Sequence, residues 1–287
     1  MKATFATFVT LLFLFVSGES MAEKISTLEQ IKKTEVIRIG FRDNEPPMSF
    51  LNKDNQPVGY SIDLCKLIVS AVKSKLKNPN IATKYVAVTS SNRFESLANN
   101  SIDILCGSTT KTLSRAELVD FTQLSFVTGA SLLSLESAEI KGVSDLEGRK
   151  VSVVKDTTTI KSLENALKKA EVDAEIIAVD SASAGMEALI KGDVDAFSSD
   201  QVVLIGLALT NKSAEKFRLS EEVFSYEPFA LAVRKNDSEF RLIADRVLSQ
   251  LNRSGKITSI YTQWFGGYTK EVPTLLQAMY MLNSTPE

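Results

Sequence analysis

Residues 150–200 read KVSVVKDTTTIKSLENALKKAEVDAEIIAVDSASAGMEALIKGDVDAFSSD, and the rhythm of this stretch decides the fold. Short β-branched runs at Val151 to Val154, Glu175 to Val179 and Val194 to Phe197 are each followed by apolar residues at helical spacing. Those segments run from Thr159 to Ala170, Ala182 to Lys191 and Gln201 to Leu209. A chain that alternates strand and helix in this way builds parallel sheets with helices on their faces. Working toward the amino terminus, the plan occurs a second time. Val36-Ile37-Arg38-Ile39-Gly40 is a strand, and Gly59 to Lys77 carries a helical stripe through Ile62, Leu64, Cys65, Ile68, Val69, Val72 and Leu76. Lys84 to Val88 and Ile102 to Leu105 are further strands around a short helix at Arg93 to Asn99. The fold class is therefore α/β, with two lobes that are each a mostly parallel sheet flanked by helices.

Two apolar, extended runs, Phe126 to Leu135 and Phe229 to Val233, read as crossings that join the lobes as a two-strand hinge. This places lobe 1 at 23–128 and 232–265 and lobe 2 at 129–231, with rotation expected at Phe126 to Ser131 and Phe229 to Arg234. A helix over Ser238 to Leu251 completes lobe 1. Residues 266–287 begin with paired glycines and read as an appendage outside both cores. Leu275, Leu276, Met279, Tyr280 and Leu282 could form an amphipathic helix there that docks on its own lobe.

Residues 1–22 read as an export signal, with Lys2 ahead of an apolar run from Phe5 to Val16 and small residues at Ser20 and Ala22. The run is too short to span a bilayer. Cleavage near Ala22 is expected, and with no cysteine at that point a freely diffusing periplasmic product rather than a lipid-anchored one. About 265 residues then remain, enough for two domains with real cores. The net charge of −2 supplies no basic face for nucleic acid. The chain contains no histidine, which rules out Ser-His-Asp and Cys-His nucleophiles and His-ligated metal centres. No metal or cofactor is expected. The two cysteines, Cys65 and Cys106, fall in the first long helix and at the end of the third strand, which pack together in such a lobe. A disulfide is expected in an oxidising compartment, two buried thiols being the alternative.

Ligands of open α/β sheets sit beyond the carboxyl ends of the strands. The loops there are Phe41-Arg42-Asp43-Asn44, Thr89-Ser90-Ser91-Asn92-Arg93, Cys106-Gly107-Ser108-Thr109-Thr110, Lys155-Asp156-Thr157-Thr158-Thr159 and Ser198-Ser199-Asp200-Gln201. They combine arginines, hydroxyls at helix starts and one late aspartate. Arginine grips a carboxylate through two parallel hydrogen bonds, and a helix amino terminus favours an anion. Capping alone accounts for a threonine before a helix, and surface pairing with Asp43 or Glu95 would account for Arg42 or Arg93 taken singly. Three arginines, Arg42, Arg93 and Arg115, on one side of one lobe point to a ligand.

The segments Val58-Gly59-Tyr60-Ser61-Ile62-Asp63-Leu64, Cys106-Gly107-Ser108-Thr109-Thr110 with Arg115 following, and Asp156-Thr157-Thr158 resemble family 3 extracellular solute-binding proteins. Within that family they resemble the periplasmic glutamate/aspartate-binding proteins of ABC transporters. The resemblance spans residues 28–265 and implies the two-lobed periplasmic-binding-protein fold, closing on an amino acid. It implies that Arg115 grips the α-carboxylate with Thr110 and Thr158, with Thr157 and Ser108 nearby, and that Asp200 takes the α-ammonium. Arg42, Arg93 and Ser90 match positions that hold a side-chain carboxylate. The implied partners are an acidic amino acid and a membrane permease, with the protein acting as a monomer. Where such relatives place a histidine, this chain reads Asp180-Ser181-Ala182-Ser183. Three other functions share the pattern: a binding protein for a neutral or amidated amino acid, a cleft enzyme using Asp200 or Lys155, and a detached sensor domain.

Overall fold

The computed structural model describes residues 25–211, 216–269 and 271–287. The export signal read at residues 1–22 lies outside them. Helix α1 (Thr27–Thr34) opens with a capping box in which Ser26 and Glu29 satisfy each other's backbone N–H groups. Strand β1 (Val36–Phe41) follows, then a small three-stranded sheet of β2 (Asn44–Glu45), β3 (Ser49–Leu51) and β4 (Pro57–Val58). Next come α2 (Tyr60–Lys75), β5 (Ala82–Ala87), α3 (Arg93–Ala98), β6 (Ile104–Cys106) and the long β7 (Val119–Thr128).

The second lobe is built from β8 (Ala130–Leu135), β9 (Lys150–Val154), α4 (Thr158–Ala170), β10 (Glu175–Val179), α5 (Ala182–Lys191), β11 (Ala196–Asp200), α6 (Gln201–Thr210) and β12 (Phe217–Leu219). The chain returns through β13 (Glu227–Arg234) and ends in α7 (Ser238–Arg253), α8 (Lys256–Phe265) and α9 (Thr274–Leu282).

The two main sheets have the orders β5-β1-β6-β13-β7 and β10-β9-β11-β8-β12. In each, one strand runs against the rest: β13 is antiparallel to β6 and β7, and β8 to β11 and β12. Each reversed strand is the one the chain enters on arriving from the other lobe. The crossings run side by side at Gly129, where a Cβ would lie 2.2 Å from the Ser225 carbonyl oxygen. Only a residue without a side chain lets the two strands pass at that distance.

The second crossing precedes the run chosen for it from the sequence. Strand β13 pairs with β7 from Glu227 opposite Thr128 to Arg234 opposite Val119, so the whole of Phe229 to Arg234 belongs to the first sheet. Its apolar character reflects a central strand buried on both faces, with Phe229 to Val233 all buried.

The carboxyl-terminal segment carries the helix expected to dock on its own lobe, and it packs into the core more closely than an appendage would. Leu276, Met279 and Tyr280 of α9 join the main hydrophobic cluster, while Leu275 and Leu282 stay exposed. The Tyr280 hydroxyl meets that of Tyr60 at 3.0 Å. Beneath it Phe265 stacks on Phe126 and Tyr261 at ring-centroid distances of 5.1 and 4.7 Å. Cys65 of α2 and Cys106 of β6 are joined by a disulfide, as their adjacency in the lobe implied.

Candidate functional site

Every loop singled out from the sequence lies at a carboxyl-terminal strand end, and these ends face one another across the gap between the lobes. From lobe 1 come Arg42 just after β1, Ser90 and Arg93 between β5 and α3, and Thr110 and Arg115 after β6. Lobe 2 supplies Asp156, Thr157 and Thr158 at the start of α4 and Asp200 at the end of β11. The two sets touch. Arg93 Nη2 donates to the Asp156 carbonyl at 3.0 Å and Arg115 Nη2 donates to the same oxygen at 3.4 Å. Ser91 donates to the Asp156 carboxylate, and the hydroxyls of Thr110 and Thr158 lie 3.4 Å apart. Asp156 adopts a φ of +58°, a left-handed conformation in which aspartate is enriched among non-glycine residues.

The arginines are not equivalent. Arg42 forms an ion pair with Glu45, Nη1 to Oε1 at 2.9 Å, and both side chains are buried. Among the described residues no carboxylate lies within ion-pair distance of Arg93 or Arg115, so the surface pairing of Arg93 with Glu95 is absent. Arg93 is buried, donates to the Ser90 carbonyl and lies 4.6 Å over the Phe94 ring; Arg115 is 5.5 Å from the same ring. Burial, then the neighbouring charges of Arg115 and Arg42, pull the Arg93 guanidinium down to about 9. Burial likewise lowers Arg115. Arg93 is buried and Arg115 half-buried, and burying a guanidinium without a counter-charge is costly.

Asp200 is the counterpart. It is 9% exposed, and its Oδ1 has no hydrogen-bond partner. Burial first, then the carboxylates of Glu227 and Glu45, push its carboxyl well above the usual range. Ser90 Oγ is also buried and unpartnered.

The hydroxyls are mostly committed elsewhere. Glu227, buried at the start of β13, accepts from Thr110 Oγ1, Thr158 Oγ1 and Ser225 Oγ, each at 2.7 Å. It therefore ties the two lobes together. Thr157 Oγ1 donates to the Val154 carbonyl at 2.7 Å, and Ser108 donates to Glu45. With both hydroxyls donating to Glu227 and the Thr110 carbonyl accepting from Arg115 Nη1 at 2.9 Å, the donors left on Thr110 and Thr158 are their backbone N–H groups. Helix α4 has no side-chain cap, which leaves its first N–H groups open to an anion.

Glu45 and Glu227 were missed from the sequence. Glu45 lay three residues beyond Arg42 in a segment with no strand signal, and Glu227 preceded an apolar run that drew the reading to its core residues.

The comparisons with known proteins agree with this architecture. Residues 37–267 match the model for bacterial extracellular solute-binding proteins, family 3. A glutamate/aspartate import solute-binding protein of Salmonella typhimurium is 33% identical over 240 residues, covering 84% of this chain and 80% of that one. An L-glutamate/L-aspartate-binding protein of Pseudomonas aeruginosa is 34% identical over 262 residues, covering 90% and 85%. Among solved structures, a cysteine-binding protein from Campylobacter jejuni superposes with a TM-score of 0.75 at 25% identity, covering 87% of this chain and 97% of that one.

Proposed function

Since the chain belongs to the bacterial extracellular solute-binding proteins, family 3, we propose that it captures an acidic amino acid between its lobes and delivers it to a membrane transporter. One observation carries the ligand class. Among the described residues, two guanidiniums of the cleft, Arg93 and Arg115, have no carboxylate within ion-pair distance, and one buried carboxylate, Asp200, has no cation within that distance. A ligand with two carboxylates and one ammonium supplies what all three lack. Both relatives described above carry names that specify glutamate and aspartate.

In this reading Arg115 holds the α-carboxylate together with backbone of Thr110 and Thr158 and the open amino end of α4. Asp200 receives the α-ammonium. Arg93, with Ser90 Oγ, receives the side-chain carboxylate, and Arg42 is held back by Glu45. Ser108 and Thr157 act one step removed, through Glu45 and through the turn before α4. The groups come from both lobes, so neither lobe alone satisfies the ligand and binding closes the cleft.

We read the cleft as a binding site and not an active site. Lys155, the lysine available for proton transfer, pairs at 2.5 Å with Asp180 on the exterior. Export to the periplasm with cleavage near Ala22, a monomeric state and docking to an ABC permease belong to the same proposal. Isothermal titration against glutamate, aspartate, glutamine, asparagine and alanine tests it. Tight binding confined to the dicarboxylic members supports the reading; preference for any neutral member removes the acidic assignment.

A further inference from the structure

Arg42 is the arginine of the cleft that already has a carboxylate. Its ion pair with Glu45 is a built feature rather than a chance surface contact, because both side chains are more than nine-tenths buried, at 7% and 8% exposure. Glu45 Oε2 receives the Ser108 hydroxyl from the loop after β6. The backbone beneath is fixed as well. Glu45 pairs with Ser49 across the small sheet, and Ser49 Oγ bonds both the N–H and the carbonyl of Arg42 at 2.9 Å. The carboxylate is therefore held by Arg42 and Ser108, and the backbone of both ion-pair partners by Ser49.

A buried ion pair acts as a neutral unit toward a third charge. An incoming carboxylate directed at Arg42 would meet the like charge of Glu45 at close range, and juxtaposed like charges in a desolvated site suppress binding strongly. Glu45 also lies within electrostatic reach of the groups left open. Its charge raises Asp200 across the cleft and supports the protonated form of Arg93. Glu45 thus offsets Arg42 within the cleft, while among the described residues Arg93 and Arg115 keep no carboxylate within ion-pair distance.

We propose that Glu45 is a specificity-determining residue: it keeps Arg42 from recognising carboxylate and so restrains the preference for dicarboxylic over amide-bearing amino acids. The inference rests on the reading of the cleft as an amino-acid site. Neutralising Glu45 while keeping its shape releases the Arg42 guanidinium as an additional carboxylate receptor.

The test is isothermal titration of the parent, Glu45→Gln and Glu45→Ser with L-glutamate, L-aspartate, L-glutamine and L-asparagine, with urea unfolding run beside it to verify folding. The ratio of glutamate to glutamine affinity should rise at least about tenfold in Glu45→Gln, and in the same direction in Glu45→Ser should the first variant fold poorly. Adding Arg42→Met to Glu45→Gln should remove the gain, which a merely structural effect of Glu45 would not do. A ratio that stays within about threefold of the parent, or falls, overturns the proposal. The outcomes separate from those of the acidic reading. A parent that binds amides but not acids defeats that reading, yet acid binding gained by Glu45→Gln still supports the role of Glu45. A parent that binds no amino acid overturns both.

Discussion

Arg93 and Arg115, both from lobe 1, donate to one and the same carbonyl oxygen of lobe 2, that of Asp156, at 3.0 and 3.4 Å. Two guanidiniums that would repel each other are brought together over the Phe94 ring and clasped by a backbone dipole. Through this contact the lobes meet at the two side chains proposed above to receive carboxylates.

Asp200 gives a pH signature. Its folded-state carboxyl is raised, by burial first and by Glu227 and Glu45 next, above the unfolded value of about 3.9. The unliganded fold then binds this proton more tightly than the unfolded chain does, so the Asp200 contribution to stability declines as pH rises from about 4 through the raised value. Asp200→Asn should abolish that decline and raise the melting temperature of the ligand-free protein at pH 7. The same change should weaken amino-acid binding roughly 30-fold or more, since the ammonium loses its partner. Scanning calorimetry between pH 4 and 8 with a titration at pH 7 checks both; a variant less stable than the parent at pH 7 contradicts the assignment.

Gly206 should control closure. It lies in α6 of lobe 2, and a Cβ there would fall 2.1 Å from the Pro46 carbonyl oxygen of lobe 1. Gly206→Leu props the lobes apart without touching a ligand-binding group. The expected result is an unchanged circular dichroism spectrum, a loss of affinity of about 100-fold, and no compaction with glutamate in solution scattering. Compaction equal to the parent's would show that this contact does not limit closure.

How much of this was visible in the sequence depended on the kind of signal. Strand β10 and helix α5 appear with the bounds expected from the sequence, Glu175–Val179 and Ala182–Lys191: α5 buries Ala182, Gly185, Met186 and Leu189 at helical spacing, and β10 is a short β-branched run set off by polar residues. The small sheet β2 to β4 went unread: strands of two or three residues carry no period. Phe229 to Val233 was taken for a crossing because a fully buried strand and an apolar linker look alike without their partners. At the site, residue types and loop ends were legible, but pairings were not. Nothing in the order of residues says that Arg42 is committed to Glu45, or that the hydroxyls of Thr110 and Thr158 are spent on Glu227. The Asp156 carbonyl is backbone and has no side-chain signature at all.

The disulfide should matter for stability more than for recognition. Cys65 and Cys106 enclose a separation of 41 residues, for which loop-closure entropy gives about 4 kcal/mol in the chain-entropy model. Urea unfolding with and without reductant should differ by roughly that amount, while glutamate affinity of the folded, reduced protein stays within about threefold. Equal unfolding midpoints would show that the bridge contributes nothing in solution.

In the proposed site Arg93 reads the side-chain carboxylate and Arg115 the α-carboxylate. The most direct measurement is a titration of Arg93→Ala and Arg115→Ala with glutamate, aspartate and glutamine. Losing one member of a desolvated charge pair costs about 2 to 5 kcal/mol, or roughly 30- to several-thousand-fold in affinity. Arg93→Ala should lose glutamate and aspartate by that margin with a much smaller change for glutamine, and Arg115→Ala should lose all three. Glutamate affinity within a few fold of the parent in Arg93→Ala, or equal losses for glutamate and glutamine, would contradict the account.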